Sequence, residues 1–268
     1  MALGWHFVLR LVDGRVILGT PADRSDGYRR MLRIGERFGL LFFHLGVDHV
    51  HAVLACDAEQ VPRFAQAVEA SITLGTRREV GFGHYYVKPV SDQGHLRSLV
   101  RYVLGQERKH GTTLDPRHVG SNGPDLAGGR ITGEPQRQLM ARMLPRVGPE
   151  TIEAILLDGL ERRPLETLGA APAGLTGEAL ERLLRDAALA AIGQPSWRGP
   201  RPGTGAARRA LLEIVDKTEL GLTVSPARLL QCRPTSLARL RARPVDLAVG
   251  ACVRWQVEFY LALAARGP

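Results

Sequence analysis

The sequence predicts an α+β fold: an antiparallel sheet with packed helices, followed by a mostly α-helical C-terminal region. Three observations carry that expectation. Residues 40–56 are rich in β-branched, aromatic and aliphatic side chains and carry a turn signal at Gly46 to Asp48, the pattern of two antiparallel strands. Leu96, Leu99, Val100, Val103 and Leu104 follow the i, i+3, i+4, i+7, i+8 spacing of an amphipathic helix. From about Gly133 onward nearly every segment has helical periodicity.

Taken in order, Trp5 to Val12 predicts a first strand, and Val16, Ile17 and Leu18 after Asp13-Gly14-Arg15 its hairpin return. Residues 23–38 follow as a helix with Tyr28, Met31, Leu32 and Ile34 toward the core. The interleaved Arg29, Arg30, Arg33 and Arg37 form a solvated face or a strip beside nucleic acid. After the hairpin of 40–56, residues 59–74 place Val61, Phe64, Ala65, Val68 and Ile72 at helical spacing, and Gly75-Thr76-Arg77-Arg78 ends that helix. Residues 80–90 predict an aromatic strand carrying Tyr85, Tyr86 and Lys88. Rings beside a cation suit single-stranded DNA; a plain edge strand with surface tyrosines has the same composition. The next helix runs from Gln93 to a stop at Gly111.

Residues 115–124 and then Gly128-Gly129 are loop-like and set a boundary between domains 1–128 and 129–268. In the second, helices are expected at 135–144, 149–162, 176–192, 205–220, 226–241 and 245–265. A Pro/Gly/Arg-rich stretch at 194–204 splits it. The part from 205–268 is either helix-turn-helix-like and DNA-binding or an ordinary helical bundle with an arginine-rich surface.

Bulk properties narrow the classes. The 268 residues carry 36 Lys plus Arg against 27 Asp plus Glu, a net charge of +9 with 44% hydrophobic residues. Nearly all the basic residues are arginine, whose fork fits phosphate, so a polyanion partner is expected. Cys56, Cys232 and Cys252 are an odd, widely spaced set, which argues against a disulfide framework and a cysteine-based zinc site. No uncharged apolar stretch of about 18 residues and no charged-then-apolar leader is evident, so a cytoplasmic protein without a membrane partner is expected.

The chemistry-bearing residues cluster in two stretches. In Asp48-His49-Val50-His51 the strand alternation sends both imidazoles to one face, with Cα atoms about 7 Å apart. They can reach one metal ion, or they decorate a half-polar sheet face. On the helix from Gln93, Tyr102 and Gln106 lie one turn apart on a flank shared with His95 and Lys109.

In this order, with Arg101-Tyr102-Val103 and Gln106 closed by Lys109-His110-Gly111, the chain resembles the single-tyrosine HUH transposases of small bacterial insertion sequences. Within them it resembles the REP-associated tyrosine transposases, over roughly residues 4–130. The resemblance implies a ferredoxin-like antiparallel sheet, a metal held by His49, His51 and Gln106, and Tyr102 as the nucleophile that forms a 5′-phosphotyrosine. Two imidazoles and an amide oxygen suit Mg²⁺ or Mn²⁺ completed by substrate oxygens. Tyr85 and Tyr86 are the rival nucleophiles. The implied partner is single-stranded DNA bearing a hairpin, with Lys88, Lys109, Arg77 and Arg78 as its cations. The protein would act as monomer or homodimer, and the C-terminal region would add duplex DNA or protein binding. The alternative is a domesticated, non-catalytic DNA-binding protein that keeps the fold.

Overall fold

Alternation along β1 (Gly4–Arg10) sends Phe7 and Leu9 to one side of a sheet and His6 and Val8 to the other. β1 is followed by α1 (Pro21–Phe38), β2 (Leu40–Leu45), β3 (His49–Leu54), α2 (Val61–Thr76) and β4 (Tyr86–Val90). The strands form a four-stranded sheet in the order β2-β3-β1-β4 with every pair antiparallel, the ferredoxin-like βαββαβ arrangement. The computed structural model describes residues 2–12, 21–46, 48–76, 81–106, 120–167, 171–172, 174–175, 177–194, 196–198 and 203–265. The expected return strand at 16–18, Arg77, Arg78 and Lys109 lie outside them.

One sheet face is built wholly from apolar side chains. Phe7 and Leu9 of β1, Phe43 and Leu45 of β2, and Val50, Ala52 and Leu54 of β3 meet Tyr28, Met31 and Leu32 of α1 and Phe64, Val68 and Ile72 of α2. Phe64 stands edge-on to Phe7 with ring centroids 5.1 Å apart. Each such ring contributes about 2 kcal/mol by leaving water. The other face is crossed by α3 (Gln93–Leu104), whose Leu96, Leu99, Val100, Val103 and Leu104 are buried. Its N-cap is Asp92, which accepts the backbone N–H of His95 and satisfies one orphan donor of the first turn. β4 is shorter than expected and begins at Tyr86; as an edge strand it tolerates Pro89, which has no N–H to give.

Residues 120–126 are not a loose boundary. Asn122 is fully buried, its Oδ1 accepts the Phe43 N–H, and its Nδ2 donates to the Leu41 carbonyl. Its amide thus reproduces a strand partner for β2, reinforced by the Leu45 N–H donating to the Gly120 carbonyl. α4 (Gly123–Leu126) and α5 (Glu134–Met143) follow, and the Tyr28 hydroxyl donates to the buried Asp125 at 2.5 Å. The chain accordingly divides into one unit of 1–127 with 133–156 and another of 128–132 with 157–268. Residues 133–156 therefore group with the sheet and not with the helical region.

The second unit is helical. α7 (Gly177–Ala191), α8 (Thr204–Lys217) and α11 (Leu247–Ala265) pack on one another, after α6 (Pro149–Leu157) has run to the division between units. The single helix expected over 226–241 is two: α9 (Pro226–Leu229) and α10 (Pro234–Arg241). Gln231 sits between them at φ +48°, and the residue before Pro234 is held extended. Trp197, expected in a linker, is buried with the Arg208 guanidinium 5.2 Å from its ring. α11 is long and apolar enough to cross a membrane by length and composition although it carries Arg254 and Glu258, and 61% of that window is buried in the protein. It also carries the buried Glu258, which pairs with Arg162 and accepts the Leu165 N–H, as a core helix would.

Candidate active site

The register places a polar set on the face that α3 covers. Val8 lies opposite His51 on one side and Tyr86 on the other, His51 opposite His44, and His6 opposite Lys88. Because alternate residues share a face, His6, His44, His49, His51, Tyr86 and Lys88 all point the same way. The four imidazoles are buried, whereas Lys88 is exposed at the rim.

The two histidines of β3 have ring centroids 4.9 Å apart and nearly perpendicular planes. His49 Nδ1 lies 2.6 Å from Asp48 Oδ1, and this hydrogen bond holds the Asp48 carboxyl below the usual carboxylate range. A carboxylate on Nδ1 puts the proton there and leaves Nε2 as the unprotonated nitrogen, with its lone pair available. The turn makes room for this ring: a Cβ at Gly46 would sit 2.8 Å from His49 Cε1. His51 Nδ1 lies 3.3 Å from His6 Nε2, with the rings stacked at 5.5 Å. When His51 Nδ1 donates to His6, His51 presents its Nε2 lone pair in the same way. Burial first, and then the charges of His95 and Lys88, push the His6 pKa down to about 4, so His6 is a neutral acceptor at pH 7.

α3 brings the phenol to this cluster. The Tyr102 ring stands edge-on to both His51 and His6, at centroid distances of 5.4 and 5.9 Å, and is 40% exposed. Gln106, just past the end of α3, is fully buried and its Nε2 donates to the Tyr102 carbonyl at 2.8 Å. Its Oε1 has no hydrogen-bond partner among the described residues. A buried amide oxygen without a donor is costly unless something else ligates it. No group of three or more His, Cys, Asp or Glu that could hold a metal occurs among the described residues.

Of the residues singled out from the sequence, His49, His51 and Tyr102 come together, Gln106 is tied to the Tyr102 backbone, and Lys88 stands across from His6. The rival tyrosines are placed differently. Tyr85 packs on Phe7 at 5.6 Å, on the apolar side of the sheet. Tyr86 is on the histidine side but is 59% exposed, on β4, with β1 between it and the β3 histidines. His6 and His44 were missed. Their alternation with apolar neighbours was readable, but the pairing of β1 and β2 with β3 was not.

No family model and no curated protein matches the chain. One solved structure, of a REP-associated tyrosine transposase bound to a REP hairpin, is similar at a TM-score of 0.36 and 14% identity, over 41% of this chain and 70% of that one. So slight a likeness carries no functional argument, which rests instead on the side chains.

Proposed function

We propose that the protein is a metal-dependent endonuclease and strand transferase that nicks and rejoins single-stranded DNA, of the transposase type, with Tyr102 as its nucleophile. The observation that carries this reading is the half-exposed Tyr102 ring set edge-on against His51 beside a buried histidine pair. His49 Nε2, His51 Nε2 and Gln106 Oε1 would hold the cation, Mg²⁺ or Mn²⁺, which supplies Lewis-acid polarisation of the scissile phosphate when bound. Asp48 and His6 keep the two imidazoles in the ligating tautomer and orientation through their Nδ1 atoms.

The Tyr102 oxygen attacks the phosphorus and the P–O3′ bond breaks in line. The phenolic proton passes to water and the departing 3′-oxygen takes one up. A 5′-phosphotyrosine and a free 3′-hydroxyl result, and the reverse attack by a 3′-hydroxyl rejoins a strand without a nucleotide cofactor. Lys88, exposed and across from His6, would meet a backbone phosphate at the rim. Single-stranded DNA bearing a hairpin is the proposed substrate.

The test is incubation with labelled single-stranded hairpin oligonucleotides and Mn²⁺, read as a covalent protein–DNA band on a denaturing gel. The adduct is expected with the wild type and absent from Tyr102→Phe and His49→Ala. An adduct that persists in Tyr102→Phe assigns the nucleophile to Tyr85 or Tyr86 and ends this reading. Tight hairpin binding with no adduct in any variant would identify a non-catalytic DNA-binding protein.

A further inference from the structure

Residues 220–245 contain five arginines, Arg228, Arg233, Arg239, Arg241 and Arg243, and no Asp or Glu. The second unit uses some of them internally. Arg241 makes a two-pronged pair with Asp216 of α8, at 3.0 and 2.8 Å, and Arg209 of α8 donates to the Arg243 carbonyl at 2.7 Å. Leu240 is buried beneath α10. These contacts fasten α10 to α8 at its C-terminal end and on its inner side. Arg228 reaches Glu178 and Glu181 only at 3.8 Å. Arg233, Arg239 and Arg243 are exposed and have no carboxylate partner among the described residues.

The outward side of α10 is as informative for what it lacks. At about 100° per residue, Thr235, Ala238 and Ala242 fall opposite the buried Leu240 with Arg239 on the flank, and all four are exposed. Two alanines and a hydroxyl leave the helix slim, with guanidinium groups at its flanks. No aromatic residue or histidine occurs anywhere from 220 to 245. The turn from α9 into α10 is short and pinned by Gln231 at φ +48°, while Ser225 caps α9 by accepting the Arg228 N–H. A one-turn helix, a tight turn and a second helix with its free side outward have the element order of a helix-turn-helix.

We propose that α10 and its flanks form a docking face for duplex DNA, distinct from the tyrosine–histidine cluster and independent of its chemistry. Unpaired exposed arginines are complementary to phosphate. A single strand is held largely by stacking on aromatic rings, and this face offers none. The major groove of B-form DNA admits an α-helix, whereas the deep, narrow groove of duplex RNA does not. Arg233, Arg239 and Arg243 therefore contact the backbone on either side of the groove, with Thr235 and the alanines turned toward the base edges.

The experiment uses the full chain and a fluorescein-labelled blunt DNA duplex, with anisotropy followed as a function of salt and with excess unlabelled, unstructured oligo(dT) present to occupy any single-strand site. Replacing Arg233, Arg239 and Arg243 together by Ala is expected to reduce the salt slope by about 0.9 per lost phosphate contact and to weaken binding at least about tenfold. Adduct formation at Tyr102 should be unchanged. The triple Arg→Lys variant keeps the charges and should retain most of the slope, which separates phosphate contact from misfolding. An unchanged slope in the Ala variant overturns the proposal. So does a loss seen equally with a single-stranded oligonucleotide, tighter binding to duplex RNA, or displacement of the duplex by polyglutamate, the mark of an acidic protein partner.

Discussion

His49 and His51 leave β3 toward one side, Val50, Ala52 and Leu54 leave it toward the other, and all five are buried. The two faces of one strand thus have the same burial and opposite chemistry. The apolar face, under α1 and α2, needs nothing but shape and area to be stable. The imidazole face, under α3, has lost its water and must recover hydrogen bonds or ligands atom by atom. Asp48 on His49, His6 on His51 and the unpartnered Gln106 Oε1 are the residue of that requirement. On the proposed function, a bound cation would meet that requirement.

The largest effect should come from the apolar face. Phe64 is fully buried against Phe7 and Phe38. Phe64→Ala should cost about 3–5 kcal/mol in urea unfolding, with or without a chelator. A loss below about 1 kcal/mol would mean that α2 does not close this core. On the imidazole face the effect should depend on metal. Mn²⁺ at a hundred times its dissociation constant should stabilise the wild type by about 2.7 kcal/mol. In His51→Ala that increment should vanish, and metal-free stability should change far less than in Phe64→Ala. Equal Mn²⁺ stabilisation of both proteins would place the cation elsewhere. His6→Ala removes no proposed ligand but frees the His51 ring, and calorimetric titration should show Mn²⁺ affinity lowered about 10- to 100-fold. Unchanged affinity would reduce His6 to a packing residue.

The contrast also accounts for what could be foreseen. Val61, Phe64, Ala65, Val68 and Ile72 of α2, and Leu96, Leu99, Val100, Val103 and Leu104 of α3, are buried as their spacing requires, because helical period is a local property. That His49 and His51 share a face followed from alternation alone. His6 reaches His51 across a sequence separation of 45, and nothing local announces which strand neighbours which. Asn122 looks like a loop residue because its chemistry is that of turns, yet here the amide serves β2 as a missing strand. The break at Gln231 was hidden for a related reason. Residues 226–241 keep a helical pattern across it, and Pro234 marks the first turn of a new helix as readily as a kink in an old one.

The smallest effect is the most specific to the polar face. His6 has a folded pKa of about 4 against an ordinary 6.5, through burial and the neighbouring His95 and Lys88, with His51 on its other side. Between those values the unfolded chain binds a proton that the folded chain refuses, so stability rises with pH there. The contribution is complete above about pH 6.5 and is lost as pH falls toward 4. Solvent at the rim screens part of it, leaving about 1–2 kcal/mol. Urea midpoints of the metal-free protein between pH 4 and 7.5, compared with those of His6→Phe, read this directly, because the phenylalanine fills the site without titrating. As pH falls from 6.5 toward 4 the wild type should lose stability relative to His6→Phe, and above pH 6.5 the difference should stay flat. Parallel profiles would mean that His6 is not buried against the β3 histidines, and the polar face would then lose the group that orients His51.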